Sequence, residues 1–204
     1  MSSERPEDAD QGWRERKKLQ TRTALHRAAV ELVAERGMGR VTTEQIAEQA
    51  GVSARTFFNY FPTKESAVLG VSPEQAQAVA GWLRDRPAED SPVTAVRACL
   101  TSYGMQFSQD HELWERRRTL IRSDPTLLHA MAAISSSMEA SVTIALGERL
   151  GIDTTTDIRP ALLVSVTWAA VRVGLGKARD HHVPPAEAIA EAMALLDDTD
   201  LWSP

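Results

Sequence analysis

The chain has 204 residues, a formal net charge of -5 and a single cysteine, Cys99. A chain of this length can bury a large core without a metal ion, and one cysteine excludes an intrachain disulfide, as is usual in a reducing compartment. The N-terminus lacks an apolar signal segment and no uninterrupted run of 18 apolar residues follows, so we expect a soluble cytoplasmic protein with no membrane partner.

The charge is distributed unevenly along the chain. Residues 13–64 contain ten Lys or Arg residues and five acidic ones, whereas residues 65–204 contain twelve and nineteen. A local basic surface contributes more to phosphate binding than the total charge does, so residues 13–64 are the candidate nucleic-acid end. Residues 1–12 are polar and acid-rich, which predicts a disordered tail.

The first ordered element is predicted to run from near Trp13 to Arg36. Apolar residues at 25, 29, 32 and 33 recur at helical spacing, and Gly37 follows at a position where helices often stop. A basic cluster, Arg14 to Lys18, lies near the start of this helix. It could reach the DNA backbone or minor groove, or simply be a solvated charged helix start, and the sequence does not decide between these.

The segment Thr42 to Lys64 has the spacing of a helix-turn-helix. Ala47 lies where two helices must approach closely, Gly51 follows four residues later, and Phe57 comes six residues after that. A glycine takes positive φ without steric cost, and short turns containing glycine join the helices of this motif.

Local signals mark the start of both helices. Thr42 followed by Gln45 forms a capping-box pattern, and Ser53 is placed to cap the second helix. We therefore expect two short helices separated by a tight turn.

The stretch Arg22 to Glu65 resembles the N-terminal domain of the TetR family of bacterial transcriptional regulators. It covers about a fifth of the chain, and beyond Glu65 the resemblance is architectural only. It implies an all-α fold with a three-helix helix-turn-helix head at 13–64 and a helical ligand-binding and dimerisation domain at 65–204. It also implies a homodimer that binds double-stranded DNA at a palindromic operator and is released by a small-molecule effector.

The second helix of the motif offers a face that could read bases. Successive side chains rotate by about 100°, so if Phe57 faces the core, Arg55 and Asn59 point away from it. Arg suits guanine O6 and N7, and Asn suits adenine N6 and N7. The alternative is that both side chains contact phosphates or solvent.

A second set of polar side chains lies at helix starts and on the flanks, where hydroxyl and ammonium groups can hold phosphates. Its members are Thr42, Thr43, Ser53, Thr56, Tyr60 and Lys64. Members of the resembled family commonly have tyrosine where this chain has Phe58, so one backbone contact is missing here. Phe58 could instead press on a thymine methyl group or pack within the head.

The remainder of the chain reads as helix, with no strand-like alternation. Helices are predicted over Pro62 to Leu69, Ser72 to Arg84, Pro92 to Ser108, Glu112 to Arg122, Pro125 to Leu150, Asp157 to Asp180 and Pro185 to Asp197. The resemblance implies dimer contacts on the last two. Residues available there, with intrachain core as the alternative role for each, are Leu163, Ala170, Leu175, Ile189, Met193 and Leu196.

Large apolar residues and two arginines in apolar surroundings are the candidates for an effector pocket. They are Tyr103, Phe107, Trp114, Arg118, Met138, Trp168 and Arg172. Trp168 and Arg172 are one helical turn apart and are the preferred pair, although packing in the core is the alternative for most of the set. An acyl chain with an anionic head or a drug-like aromatic compound would both fit.

A catalytic or metal site is not indicated. His111 and Glu112 lack the second histidine of a zinc-protease motif, and His181 and His182 have no ligand partner at helical spacing. We therefore expect no enzyme activity, no cofactor and no bound metal. The alternative to a ligand-responsive repressor is an all-helical protein-interaction module without ligand response. Repression is favoured over activation because a bound dimer can block polymerase without a further contact surface.

Overall fold

The computed structural model describes residues 6–71, 73–106, 110–181 and 183–197. Within these ranges the chain forms α-helices, one short 3-10 helix at Met38–Arg40 and no strand, as predicted. The helices are α1 (Pro6–Arg36), α2 (Thr43–Gln49), α3 (Ala54–Phe58), α4 (Lys64–Leu69), α5 (Pro73–Arg84), α6 (Pro92–Met105), α7 (His111–Ser123), α8 (Pro125–Leu150), α9 (Arg159–His181) and α10 (Pro185–Asp197).

The chain divides into two compact units. The head unit comprises Met1–Ser72 and Glu115–Ala132, and the C-terminal unit comprises Pro73–Trp114 and Ala133–Pro204. Helix α4 therefore groups with the head, although the sequence placed the domain boundary after Lys64, the first residue of this helix. Most of α7 and the first two turns of α8 also group with the head, which no local sequence signal indicated.

Helix α1 begins at Pro6, earlier than the predicted start near Trp13, so residues 6–12 are helical rather than a disordered tail. It ends at Arg36, directly before Gly37, as predicted. The four apolar positions chosen from the spacing are all buried, at Leu25, Ala29, Leu32 and Val33. This face packs against α2 and α4 and forms the core of the head.

The helix-turn-helix forms where the sequence predicts it. Gly51 has φ +70°, a left-handed conformation that side chains rarely adopt. The Val52 N–H donates to the Ala47 carbonyl over 2.9 Å and closes the turn. Ala47 is buried, and the buried rings of Phe57 and Phe61 have centroids 6.2 Å apart.

The core of the C-terminal unit is apolar and draws on α5, α6, α8, α9 and α10. Two glycines let helices approach closely. A Cβ added at Gly104 of α6 would lie 2.5 Å from Val171 Cγ1 of α9. A Cβ added at Gly174 of α9 would lie 2.6 Å from Ile189 Cα of α10. Alanine at Gly174 would require the backbone of α10 to shift, and alanine at Gly104 would require the Val171 side chain or α9 to move.

The tight packing of α9 on α10 uses residues that the resemblance had offered for dimerisation. Four of these residues are buried in the core of the same chain: Ala170, Leu175, Ile189 and Met193. A fifth, Leu163, is partly buried against that core. These five residues are therefore corrected to intrachain core. Leu196 is exposed. Other apolar side chains of α9 are also exposed, at Leu162, Val166 and Val173.

Two segments, Pro125–Leu150 and Arg159–Ala178, are long and apolar enough by length and composition to cross a membrane. Neither contains an uninterrupted run of 18 apolar residues. Core helices of soluble proteins pass the same test, and both segments supply buried core side chains such as Met138 and Val171. Core packing therefore accounts for part of their hydropathy, since 28 % of the first apolar window and 39 % of the second are buried.

Candidate nucleic-acid interface and ligand site

The hydroxyls at the helix starts are engaged as caps. Thr42 Oγ1 accepts from the Gln45 N–H over 3.3 Å, and the Thr42 N–H donates to Gln45 Oε1 over 3.0 Å, which completes the predicted capping box. Ser53 Oγ accepts from the Thr56 N–H over 3.1 Å and lies 2.9 Å from Thr56 Oγ1. Thr42 and Ser53 remain exposed, although the Thr42 hydroxyl also hydrogen-bonds the Glu44 carboxylate.

Arg55 and Asn59 lie together on the exposed side of α3. Phe57 is fully buried, while both polar side chains are exposed, as the rotation argument predicted. The helix itself ends at Phe58, but Asn59 is its C-cap residue and keeps a right-handed helical conformation, with φ -73° and ψ -16°. The i, i+4 relation between the two side chains is therefore preserved.

Phe58 packs within the head and also keeps an exposed face. Its ring meets the Phe57 ring edge to face, with centroids 5.3 Å apart and an interplanar angle of 87°. The residue nevertheless remains 54 % exposed, beside Asn59. Tyr60 is half-buried in the turn after α3, and Thr43 is half-buried as the first residue of α2.

Lys64 has a structural role that the sequence did not reveal. Its Nζ donates to the carbonyls of Met38 over 2.8 Å and Val41 over 3.0 Å, and thereby holds the connection between α1 and α2. An ammonium group has three donors, so at most one remains for a phosphate. Lys64 therefore stabilises the head, and its predicted phosphate contact would have to use the one remaining donor.

The basic cluster near the start of the chain lies on α1 rather than on an extended arm. Arg16, Lys17 and Lys18 are exposed, and Lys17 Nζ lies 4.9 Å from the centroid of the Trp13 ring. Farther along the helix, the Arg22 guanidinium lies 4.9 Å from the Phe61 ring centroid. The exposed side chains of Arg16, Lys17 and Lys18 add positive charge to the surface of the head. Their position does not decide between a DNA contact and a solvated helix start.

His26, to which the sequence gave no role, is a structural part of the head. Its Nδ1 lies 2.8 Å from the Ala67 carbonyl at the end of α4, and a Cβ at Gly70 would lie 3.0 Å from two imidazole atoms. Burial, followed by the positive charge of Arg117, lowers the pKa of His26 to about 4. The imidazole is therefore neutral near pH 7, and Nδ1 donates to the carbonyl.

Three of the predicted effector-binding residues share the core of the C-terminal unit. Tyr103, Met138 and Trp168 are all buried, and the Tyr103 and Trp168 ring centroids lie 5.6 Å apart at an interplanar angle of 39°. Trp114 packs partly buried against the same core. Phe107 lies outside the described residues.

The two predicted arginines do not join this group. Arg172 is exposed on α9, so the expected cavity shared by Trp168 and Arg172 is not found. Residues three or four apart share a helix face only approximately, and here the core boundary falls between them. Arg118 belongs to the head unit, half-buried, with its Nη1 4.0 Å from Glu115 Oε2.

Comparisons with known proteins agree with this architecture. Residues 25–69 match the family model for bacterial regulatory proteins of the tetR family, and residues 90–200 match the model for the MftR C-terminal domain. The transcriptional regulator TcmR of Streptomyces glaucescens is 33 % identical over 168 residues, which cover 79 % of this chain and 74 % of TcmR.

Solved structures share the fold. A complex of SmeT with triclosan superimposes with a TM-score of 0.54 at 18 % identity, covering 90 % of this chain and 95 % of SmeT. The Thermus thermophilus repressor FadR, in complex with lauroyl-CoA, gives a TM-score of 0.51 at 22 % identity, covering 86 % and 92 %. The helix-turn-helix head, the all-helical C-terminal unit and these matches together identify the chain as a member of the TetR family, a DNA-binding transcriptional regulator rather than an enzyme.

Proposed function

We propose that this protein is a cytoplasmic repressor that binds a palindromic operator as a homodimer and is released from it by a small apolar or amphipathic effector. The observation that carries the proposal is the exposed pair Arg55 and Asn59 on the second helix of a capped helix-turn-helix. That pair stands on the basic end of a chain that is acidic elsewhere.

The head would read DNA in the major groove. Arg55 would donate to guanine O6 and N7, Asn59 would pair with adenine N6 and N7, and the exposed ring of Phe58 would contact a thymine methyl group. The flanking hydroxyls of Thr42, Thr43, Ser53, Thr56 and Tyr60, and the remaining donor of Lys64, would hold phosphates. The base contacts would determine which DNA sequence is bound, and the phosphate contacts would position the head along the duplex.

A second copy supplies the other half-site. A single head reads only a few base pairs, so modules of this kind act as dimers on related half-sites. Leu162, Val166 and Val173 form an exposed apolar stripe on α9. Residues spaced by four and seven positions fall on one side of a helix, and such a stripe is suited to pack against its own copy.

Effector binding would use the core of the C-terminal unit, where Tyr103, Met138 and Trp168 supply large apolar surfaces. The structures of SmeT with triclosan and of FadR with lauroyl-CoA support a small-molecule effector for this chain as well. FadR is described as a repressor, which supports repression here. A bound dimer blocks polymerase without any further contact surface.

The proposal is tested by recovering DNA fragments that the full chain binds from the genome that encodes it. We expect one or a few fragments, each with an inverted repeat, and release of the protein by a metabolite made or consumed by the neighbouring genes. Recovery of no enriched sequence would instead favour the interaction-module function. Binding that no such metabolite weakens would contradict the ligand response alone.

A further inference from the structure

The indole N–H of Trp168 is buried without a hydrogen-bond acceptor among the described residues. Trp168 is only 7 % exposed and lies on α9 in the core of the C-terminal unit. Buried tryptophans usually pair this donor, and a buried donor without an acceptor destabilises the protein. This group therefore calls for a functional explanation.

The side chains packed around Trp168 are mainly apolar. The core cluster around Trp168 consists of alanine, valine, leucine, isoleucine and methionine side chains together with Tyr103 and Cys99. Burial raises the pKa of the Cys99 thiol, which keeps it neutral. Arg172 is exposed on the same helix, and Arg118 belongs to the head unit.

The charged groups that act on Cys99 are Arg86, Arg149 and Asp90. Arg86 forms an ion pair with Asp90, and Arg149 donates to the carbonyls of Arg86 and Asp90. These cations are therefore already committed to each other's segment, and a buried anion would be left unpaired, which is costly.

The aromatic pair favours a flat ligand. The Tyr103 and Trp168 rings lie 5.6 Å apart at an angle of 39°, a tilted arrangement that a third, flat ring can join by offset stacking once the core admits it. Met138 lies in the same cluster and Met105 packs against it. Helices α6 and α9 pack too closely at Gly104 to separate easily. Methionine side chains adapt readily to irregular shapes, so a ligand would enter by displacing Met138 and Met105 and not by separating the helices.

From these observations we infer that the effector is a neutral, mainly aromatic molecule carrying an oxygen acceptor, a ketone, ether or phenol, and that this oxygen accepts from Trp168 Nε1. Its ring system packs on Tyr103 and Trp168. The inference rests on the proposed function, in which the C-terminal unit binds an effector. Beyond that function, the inference names Trp168 Nε1 as the atom that selects the ligand. It also excludes effectors that would bury a carboxylate or a phosphate in this core.

Two probes of almost the same shape isolate the hydrogen bond. Fluorenone and fluorene share a flat three-ring body, but only fluorenone has a carbonyl acceptor, and fluorene-9-carboxylate adds a negative charge. Equilibrium dialysis with the full-length protein should give about tenfold tighter binding of fluorenone than of fluorene, the effect of one net hydrogen bond. The carboxylate should bind more weakly than either.

The variant Trp168→Phe removes the donor and keeps an aromatic ring. We expect it to lose the preference for fluorenone while its affinity for fluorene changes by less than about threefold. Trp82→Phe, at a partly exposed tryptophan of the same unit, is the matched control and should keep the preference. In ¹H–¹⁵N spectra of the wild-type protein, both probes should shift the Trp168 indole signal because their rings pack on it. Only fluorenone should move the indole proton downfield, as a new hydrogen bond does, and this readout does not depend on how the variant folds.

Equal binding of the two neutral probes to the wild type, no binding of either, or the same preference in Trp168→Phe would each overturn the inference. DNA binding by the wild type and by Trp168→Phe is measured separately on a recovered genomic fragment. Failure of the wild type to bind any fragment contradicts the proposed function. A metabolite that releases both proteins equally from DNA supports the proposed function and refutes only the role of Trp168.

Discussion

The two units of this chain prepare for binding in opposite ways. The head unit is basic and presents Arg55 and Asn59 on an exposed face. The negatively charged DNA could therefore bind there without any rearrangement of the head. The C-terminal unit is acidic overall, and its candidate selecting group, the Trp168 indole N–H, is buried in an apolar core. The proposed DNA-reading surface is thus preformed, whereas the proposed effector recognition would require the core to admit a ligand.

The largest expected effect tests how closely the C-terminal unit is packed. Gly174→Ala would place a Cβ 2.6 Å from Ile189 Cα and 2.8 Å from its N, so backbone must shift. Overpacking of this kind should lower the free energy of unfolding by about 3 kcal/mol in urea denaturation followed by circular dichroism. Gly81→Ala is the control, because a Cβ there meets nothing within 4 Å. It should be neutral or stabilising, by up to about 1 kcal/mol, and a Gly174→Ala protein as stable as this control would contradict the close approach.

A smaller effect, confined to the head, is expected from His26. Its pKa is about 4 in the folded chain against 6.5 in the unfolded chain. Between those values the unfolded chain binds the extra proton, so this stability is present above pH 6.5 and is lost as the pH falls toward 4. Lowering the pH from 7 to 5 should cost the wild type about 2 kcal/mol more than His26→Asn, which keeps an N–H donor near the Ala67 carbonyl but does not titrate. An identical pH dependence of the two proteins would refute the neutral buried imidazole.

Lys64→Met separates a structural role from a phosphate contact. Loss of the bonds to the Met38 and Val41 carbonyls should lower the free energy of unfolding by about 1.5 kcal/mol. DNA affinity should then fall uniformly across operator sequences. Lys18→Met, at an exposed lysine of α1, should leave stability unchanged. The contrary result would be that Lys64→Met leaves stability unchanged and only makes the salt dependence of DNA binding shallower. That result would show that the main role of Lys64 is to contact a phosphate and not to stabilise the head.

The smallest effect concerns the caps that fix the recognition segment. Thr42→Ala removes the hydroxyl that accepts from the Gln45 N–H and should cost about 1 kcal/mol of stability. Thr43→Ala, one residue farther on and within α2, should change stability by less than about 0.5 kcal/mol. Equal losses in the two variants, measured by thermal unfolding, would contradict the capping assignment.

Sequence reasoning succeeded where structure depends on neighbours along the chain. The capping box at Thr42, the positive φ of Gly51 and the outward face of Arg55 all follow from local chemistry, and each was predicted correctly. The pairing of Trp168 with Arg172 failed because helical spacing alone does not reveal where a core ends. The bonds of Lys64 to carbonyls more than twenty residues away were equally invisible.

Some properties of the protein depend only on tertiary contacts and have no signal in the neighbouring sequence. The lowered pKa of His26 depends on burial in the folded head and on Arg117, which comes much later in the chain. The unpaired indole of Trp168 can be recognised only when every neighbour is in place. The sequence therefore predicted the surface that meets DNA better than the interior that would meet the effector.

The central claim, that the exposed face of α3 reads bases, is tested most directly by Arg55→Ala and Asn59→Ala on a recovered genomic fragment and on fragments substituted at single base pairs. Each variant should bind the native fragment at least about fivefold more weakly and lose discrimination at one position of each half-site, guanine for Arg55 and adenine for Asn59. Unfolding should be unchanged because both side chains are exposed. Unaltered affinity and unaltered base preference in both variants would contradict the claim.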